Sequence, residues 1–161
     1  MKSRVFIGSS QESISIAYAI QESLEQLAEV TVWDQGIFEP STYALDNLSR
    51  ALGKFDFGVF VFSGEDIVKI RDVEYLAVRD NVLFELGLFI GHFGKEKTFI
   101  VMPLEVKDFR LPTDLLGLGL IKFISERQDG NLRAALGPAC NKIIQMIRRF
   151  EEEVVVKGAR P

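Results

Sequence analysis

The fold is decided by FGVFVF at residues 57–62, a stretch in which apolar residues occupy both faces of a strand. A strand with two apolar faces has to be covered on both sides, which is typical of a parallel sheet in an α/β protein. Outward from this stretch, short apolar runs of the same kind occupy residues 5–7, 30–33 and 97–102. A weaker run at 118–124 completes a predicted sheet of five strands.

Helical patterns separate these strands. Apolar residues recur every three or four positions over 14–27 and 132–150, and shorter helices are predicted at about 42–52 and 79–92. This alternation predicts an open, doubly wound sandwich with helices on both faces of the sheet. Ligands in such sheets bind beyond the carboxyl ends of the strands, where the strand order reverses. With a flavodoxin-like order, the crevice would lie beside the loop at residues 8–10.

The 161 residues fit one domain, which we place at residues 1–150. Residues 63–78 form a polar segment that precedes the third helix. After three consecutive glutamates the tail, residues 151–161, changes in character. The tail either extends the last helix or begins a linker to a missing sensor domain.

The composition excludes several classes of function. With 19 Lys+Arg against 23 Asp+Glu, the net charge of −4 argues against a duplex nucleic acid partner. One cysteine, Cys140, and one histidine, His92, are too few for a zinc site, so no metal is expected. The longest apolar run, residues 82–90, is too short to span a bilayer, so we expect no membrane partner. No signal peptide precedes the first strand, which predicts a cytoplasmic protein.

One helix carries the functional signal. The stretch RDNVLFELGLFIG at residues 79–91 is apolar on nearly every face and is predicted to be largely buried, yet Glu85 lies in its middle. Burying an unpaired carboxylate costs several kcal/mol or raises its pKa, so Glu85 needs a partner or lines a cavity. From the residues alone, a structural role, either as an ion pair with an arginine or as a cap on a neighbouring backbone, and a functional role are equally open.

The chain resembles the bacterial TIR-like family, whose members are Toll/interleukin-1-receptor-related domains. Some are effectors of cyclic-nucleotide-activated antiphage systems, fused to STING or SAVED sensor domains. The stretches that carry the resemblance extend from residue 4 to about 124: VFIGSS (5–10), WDQGIF (33–38), FDFGVFV (55–61), RDNVLFELGLF (79–89) and LPTDLLG (111–117).

The resemblance implies a flavodoxin-like TIR fold and cleavage of NAD⁺ at the nicotinamide–ribose bond, with Glu85 as the catalytic residue. The products would be nicotinamide and ADP-ribose or a cyclic isomer. NAD⁺ would be the substrate, and no cofactor is expected. The loop Asp34–Tyr43 would mediate head-to-tail self-association. A cyclic-nucleotide sensor would be fused to the domain or act in trans.

The resemblance also assigns a pocket around the substrate. Its residues would be Phe6, Gly8, Ser9, Ser10, Trp33, Arg79, Asn81 and Asp114. Several of these residues have structural alternatives. A capping box from Ser9 to Glu12 would explain the serine. For the others, the alternatives are core packing of Phe6 and Trp33, an ion pair of Arg79 with Asp80 or Glu74, and a turn position for Asp114.

One carboxylate suffices for the chemistry that the resemblance implies. A glycosidase needs a second acid to protonate its leaving group. Nicotinamide leaves NAD⁺ as a neutral molecule, so only the positive charge growing on the ribose needs stabilisation. We therefore predict that Glu85 is ionised and has a polar partner, with Ser9, Ser10 or Asn81 as candidates.

Two other functions remain open at this point. A non-catalytic TIR module would serve protein–protein interaction alone, although the complete motif around Glu85 argues against it. A nucleoside deoxyribosyltransferase-like enzyme shares the α/β sandwich and a glutamate at an N-glycosidic bond. That reaction releases neutral bases and should need an additional proton donor, for which the sequence offers no clear candidate.

Overall fold

The structure is a computed structural model that describes residues 2–37, 44–115 and 118–158. Its strands are β1 (Arg4–Gly8), β2 (Glu29–Val32), β3 (Phe57–Val61), β4 (Asp66–Ile70), β5 (Val73–Ala77), β6 (Thr98–Pro103) and β7 (Leu120–Phe123). Five of these form one parallel sheet in the order β2-β1-β3-β6-β7. This is the flavodoxin-like order, with β1 at the point where the order reverses.

Four helices cover the sheet: α1 (Ile14–Leu24), α2 (Ala44–Leu52), α3 (Asp80–Phe93) and α4 (Leu132–Gly158). The helices α1 and α4 pack on one face, and α2 and α3 pack on the other. Short 3₁₀ helices occupy Lys95–Lys97 and Thr113–Leu115. The predicted five-stranded, doubly wound sheet with helices on both faces is confirmed.

The central strand β3 is buried along its whole length, as its two apolar faces require. Phe57, Val59 and Val61 face the core under α1 and α4, and Phe60 faces the core under α2 and α3. In that second core the ring of Phe6 stacks on the ring of Phe89 with centroids 4.8 Å apart. Aromatic packing of this kind fixes α3 against the sheet.

Residues 63–78, a polar segment in which the sequence analysis assigned no strand, contain two strands outside the five-stranded sheet. The strands β4 and β5 form an antiparallel hairpin in which Ile70 pairs with Val73. Its two-residue turn places Arg71 and Asp72 at φ of 48° and 65°. Turns of this type favour Asn, Asp and Gly, which tolerate positive φ, and of the two turn residues only Asp72 is of these types, so the turn signal in the sequence is weak. The hairpin stands directly before α3.

The helix α3 is less buried than its composition predicts. Val82, Leu86 and Phe89 are buried against the sheet. Phe84, on another side of the helix, is 53% exposed. The helix covers one face of the sheet, and within the described chain nothing covers its outer side, so an apolar sequence did not mean full burial.

The last helix continues past residue 150 through Gly158. Residues 151–158 of the tail therefore extend the last helix. The domain boundary at residue 150 stays a prediction. Val154, Val155 and Val156 near its end are more than half exposed. Within the described residues, no helix combines the length and the apolar character that crossing a bilayer requires.

Candidate active site

A cleft of about 500 Å³ opens at the carboxyl edge of the sheet, beside the end of β1. Among the described residues, three segments of the chain line it. The loop after β1 contributes four residues, the turn after β2 one, and the beginning of α3 four: Ser9, Ser10, Gln11, Glu12, Trp33, Arg79, Asp80, Asn81 and Glu85. This is the position at which doubly wound sheets bind ligands, and its volume is in the range of small-molecule sites.

Glu85 lies in the second turn of α3, with its carboxylate against the end of β1. A β-carbon built at Gly8 would be 3.2 Å from Oε2 of Glu85 and 2.7 Å from two ring carbons of Phe60. Any side chain at position 8 would therefore crowd both neighbours. Gly8 leaves the space in which the carboxylate lies.

Burial raises the pKa of Glu85 to about 7. Within the described residues its carboxylate makes no hydrogen bond, so the predicted polar partner is absent and that prediction is wrong. Ser9 Oγ accepts from Nε1 of Trp33 at 3.0 Å, and the Ser10 hydroxyl donates to Glu65 at 2.5 Å. The side chain of Asn81 is exposed. A desolvated carboxylate without donors favours its neutral form, which explains the direction of the shift.

The capping box that Ser9 and Glu12 would form is absent. The helix α1 begins at Ile14, after Ser13, and it is Ser10 Oγ that accepts the backbone N–H of Ser13 at 3.2 Å. Glu12 instead pairs with Arg79 across the cleft.

Arg79 precedes α3 and joins two other parts of the chain. Its guanidinium donates to Glu12 and lies 3.5 Å from the carboxylate of Asp66 in β4, an ion pair without a hydrogen bond. The prediction that Arg79 forms an ion pair with Asp80 or Glu74 is wrong. Arg79, which lines the cleft, thus connects the loop after β1 to the β4–β5 hairpin.

Glu65 is a residue of this region that the sequence analysis missed. It follows β3, and its Oε1 accepts hydrogen bonds from Ser10, Ser13 and Ser63. The available signal was its position, because residues directly after neighbouring parallel strands meet at one edge of the sheet.

Comparison with known proteins identifies the family of the chain. A family model described as "CAP12/Pycsar effector protein, TIR domain" matches residues 4–125. The chain belongs to this family of TIR domains. The predicted bacterial TIR-like family is thereby confirmed.

The TIR domain is 39% identical over 142 residues to the Pycsar effector protein PaPycTIR of Pseudomonas aeruginosa, which covers 88% of this chain and 46% of that protein. It is 32% identical over 154 residues to CD-NTase-associated protein 12 of a Lachnospiraceae bacterium, covering 96% and 48%. The chain therefore spans about half the length of these relatives. A solved flavodoxin-like domain from Synechococcus matches with a TM-score of 0.51 at 14% identity, over 91% of this chain and 99% of that one, which shows the shared fold alone.

Six of the nine site residues that the resemblance singled out line the cleft of the TIR domain: Ser9, Ser10, Trp33, Arg79, Asn81 and Glu85. Gly8 lies behind Glu85, and Phe6 is wholly buried in the core rather than in the cleft wall. Asp114 is exposed on a 3₁₀ helix and is not among the lining residues.

The loop Asp34–Tyr43, to which the resemblance assigns self-association, is described only through residue 37. At its beginning Asp34 accepts a hydrogen bond from the Tyr18 hydroxyl. Residues 38–43 lie outside the described residues, so the role of this loop stays a prediction.

Proposed function

We propose that this TIR domain hydrolyses NAD⁺ at the nicotinamide–ribose bond, releasing nicotinamide and ADP-ribose or a cyclic isomer. The observation that carries the proposal is the Glu85 carboxylate, partly buried in the cleft where the strand order reverses and without a hydrogen-bond donor from the described chain. A desolvated acceptor at a ligand-binding edge is suited to a ligand that brings its own donors and positive charge.

The chemistry requires little more than this carboxylate. As the bond to the pyridinium breaks, its electrons stay on nicotinamide and positive charge grows on the ribose. A fixed carboxylate beside the ribose stabilises that charge in a water-poor site. Water captures the ribose to give ADP-ribose, or a nitrogen of the adenine captures it to give the cyclic isomer.

The raised pKa leaves the Glu85 carboxyl group only partly ionised near neutral pH, so the proposed role requires NAD⁺ itself to favour the ionised form. NAD⁺ carries a positive pyridinium ring, and its ribose hydroxyls can donate hydrogen bonds. Both would favour the ionised carboxylate. Substrate binding would therefore lower the pKa of Glu85 from about 7 and charge the group where the charge is needed.

The names of the relatives support a setting for this activity. They are a Pycsar effector protein and a CD-NTase-associated protein. We place the TIR domain in the same setting, as a cytoplasmic effector of antiphage defence controlled by a cyclic-nucleotide sensor that is fused to it or acts in trans. Activity would rise on self-association through the loop Asp34–Tyr43.

The test is nicotinamide release from NAD⁺ over a series of protein concentrations, free in solution and clustered on vesicles through an affinity tag. We expect release that grows faster than linearly with concentration and increases on clustering. Glu85→Gln, which keeps the shape and removes the charge, should lower the rate at least about 100-fold. Retained activity in this variant, or no release by the clustered protein, would reject the proposal. Purine nucleosides offered in parallel test the deoxyribosyltransferase alternative.

A further inference from the structure

The carboxylate of Glu65 is a group that the proposed chemistry does not use. Its Oε1 accepts from the hydroxyls of Ser10 at 2.5 Å, Ser13 at 2.7 Å and Ser63, and the Ser13 and Ser63 hydroxyls also contact each other. Its Oε2 is buried and has no hydrogen-bond partner in the described part of the chain. The network joins the loop after β1, the beginning of α1 and the segment after β3.

Ser10 belongs to this network and also lines the cleft. A carboxylate can only accept hydrogen bonds, so the one hydroxyl proton of Ser10 is directed to Glu65. One lone pair of Ser10 Oγ accepts the backbone N–H of Ser13 at 3.2 Å. A serine oxygen has two lone pairs, so one remains for a ligand. Ser10 can therefore accept a hydrogen bond from a ligand and cannot donate one.

We propose that Glu65 is a positioning residue that holds Ser10 as an acceptor for a ribose hydroxyl of NAD⁺. The inference rests on the proposed function and adds a specificity determinant to it. A ribose hydroxyl can donate to Ser10, whereas an ionised phosphate oxygen can only accept and is disfavoured there. The network thus selects sugar rather than pyrophosphate at this point of the cleft.

Glu65→Gln separates the positioning role from the shape of the side chain. Its amide can present an N–H to Ser10, which frees the serine proton to turn toward the cleft. The acceptor then faces the ribose for only part of the time. Losing one oriented hydrogen bond should weaken binding about tenfold.

The experiment compares the unsubstituted chain, Glu65→Gln, Ser10→Ala and the double variant in nicotinamide release under the clustered condition. NAD⁺ affinity is measured by calorimetry on the same set in a Glu85→Gln background. Each single variant should raise KM and Kd about tenfold with a smaller change in kcat, and the double variant should resemble Ser10→Ala. Additive effects, or an unchanged KM in Glu65→Gln, overturn the inference.

Thr98→Val is the matched control for lost stability. It removes another buried hydroxyl, one that donates to the Gly94 carbonyl at 3.0 Å at the opposite edge of the sheet. It should lower Tm and leave KM unchanged, whereas a KM rise equal to that of Glu65→Gln would show that destabilisation alone explains the result. If the unsubstituted chain neither binds nor cleaves NAD⁺, the proposed function fails and the inference with it. If the unsubstituted chain does both and Glu65→Gln matches it, the inference fails alone.

Discussion

Gly8 and Glu85 are 77 positions apart in sequence, yet the Glu85 carboxylate lies close to where a side chain at position 8 would extend. A β-carbon on Gly8 would be 3.2 Å from Glu85 Oε2. The same β-carbon would meet the ring of Phe60 at 2.7 Å. Phe60 is fully buried and cannot swing away. The glycine at the end of β1 therefore leaves room for side chains of both β3 and α3.

Gly8→Ala should accordingly lower both stability and activity. Overpacking a rigid core costs about 1–3 kcal/mol, and relief of the clash would displace Glu85 or Phe60. Chemical denaturation gives the first quantity and nicotinamide release the second. Gly87→Ala on α3 is the control, because a β-carbon there has nothing within 4 Å. It should be neutral or stabilising by up to about 1 kcal/mol. A Gly8→Ala protein as stable and active as the parent would contradict this account.

The pH dependence of stability should reveal the burial of Glu85. Its pKa is about 7 in the folded chain against the ordinary value of 4.5 for a glutamate. Between these values the folded state binds more protons, so the contribution of Glu85 to the free energy of unfolding is full below 4.5 and is lost as pH rises through 7. Glu85→Gln stays neutral, so it should match the parent near pH 4.5 and exceed it by up to about 3 kcal/mol at pH 8. Equal stability at pH 8 would show that Glu85 is solvated.

Activity should change with pH in the opposite direction. If the carboxylate is the active form, kcat/KM rises through a pKa of about 7 and is about tenfold below its plateau at pH 6. The pKa seen in kcat should be lower, because bound NAD⁺ favours the ionised form. Initial rates over about pH 5 to 9 separate the two profiles. A kcat/KM that falls on this limb would assign the active role to the protonated acid.

Arg79 should hold the β4–β5 hairpin and the loop after β1 together. Arg79→Gln breaks its contacts with Glu12 and Asp66, and we expect faster hydrogen exchange in β4 and in the loop at residues 9–13. Lys69→Gln is the control within the same hairpin. It removes the exposed ion pair between Lys69 and Asp72, which should contribute nothing measurable. Unchanged exchange in Arg79→Gln would show that packing alone holds the hairpin.

The sequence was sufficient to predict the five-stranded sheet and to single out Glu85 as a candidate functional carboxylate. Strands that are apolar on both faces, such as residues 57–62, are typical of the middle of a parallel sheet, where helices cover both faces. Likewise, Glu85 could be singled out because it is a lone glutamate among leucines and phenylalanines on α3. Both features follow from burial, which a sequence pattern records directly.

The rest depended on contacts that a pattern does not record. The hairpin turn uses Arg71 and Asp72 at positive φ, where the sequence shows no glycine. Ser10 was a candidate hydrogen-bond partner of Glu85, but its hydroxyl donates instead to Glu65, 55 positions away. Hydrogen bonds between distant segments depend on which loops the fold brings together, so the polar partners of the cleft could not be assigned beforehand.

Trp33 is the only tryptophan in the chain. It lines the cleft, and its indole nitrogen donates a hydrogen bond to Ser9. The tryptophan fluorescence of the protein therefore originates at a single indole, in the cleft that Glu85 also lines. A molecule entering the cleft would change the surroundings of that indole, so occupancy can be followed optically in the unlabelled protein.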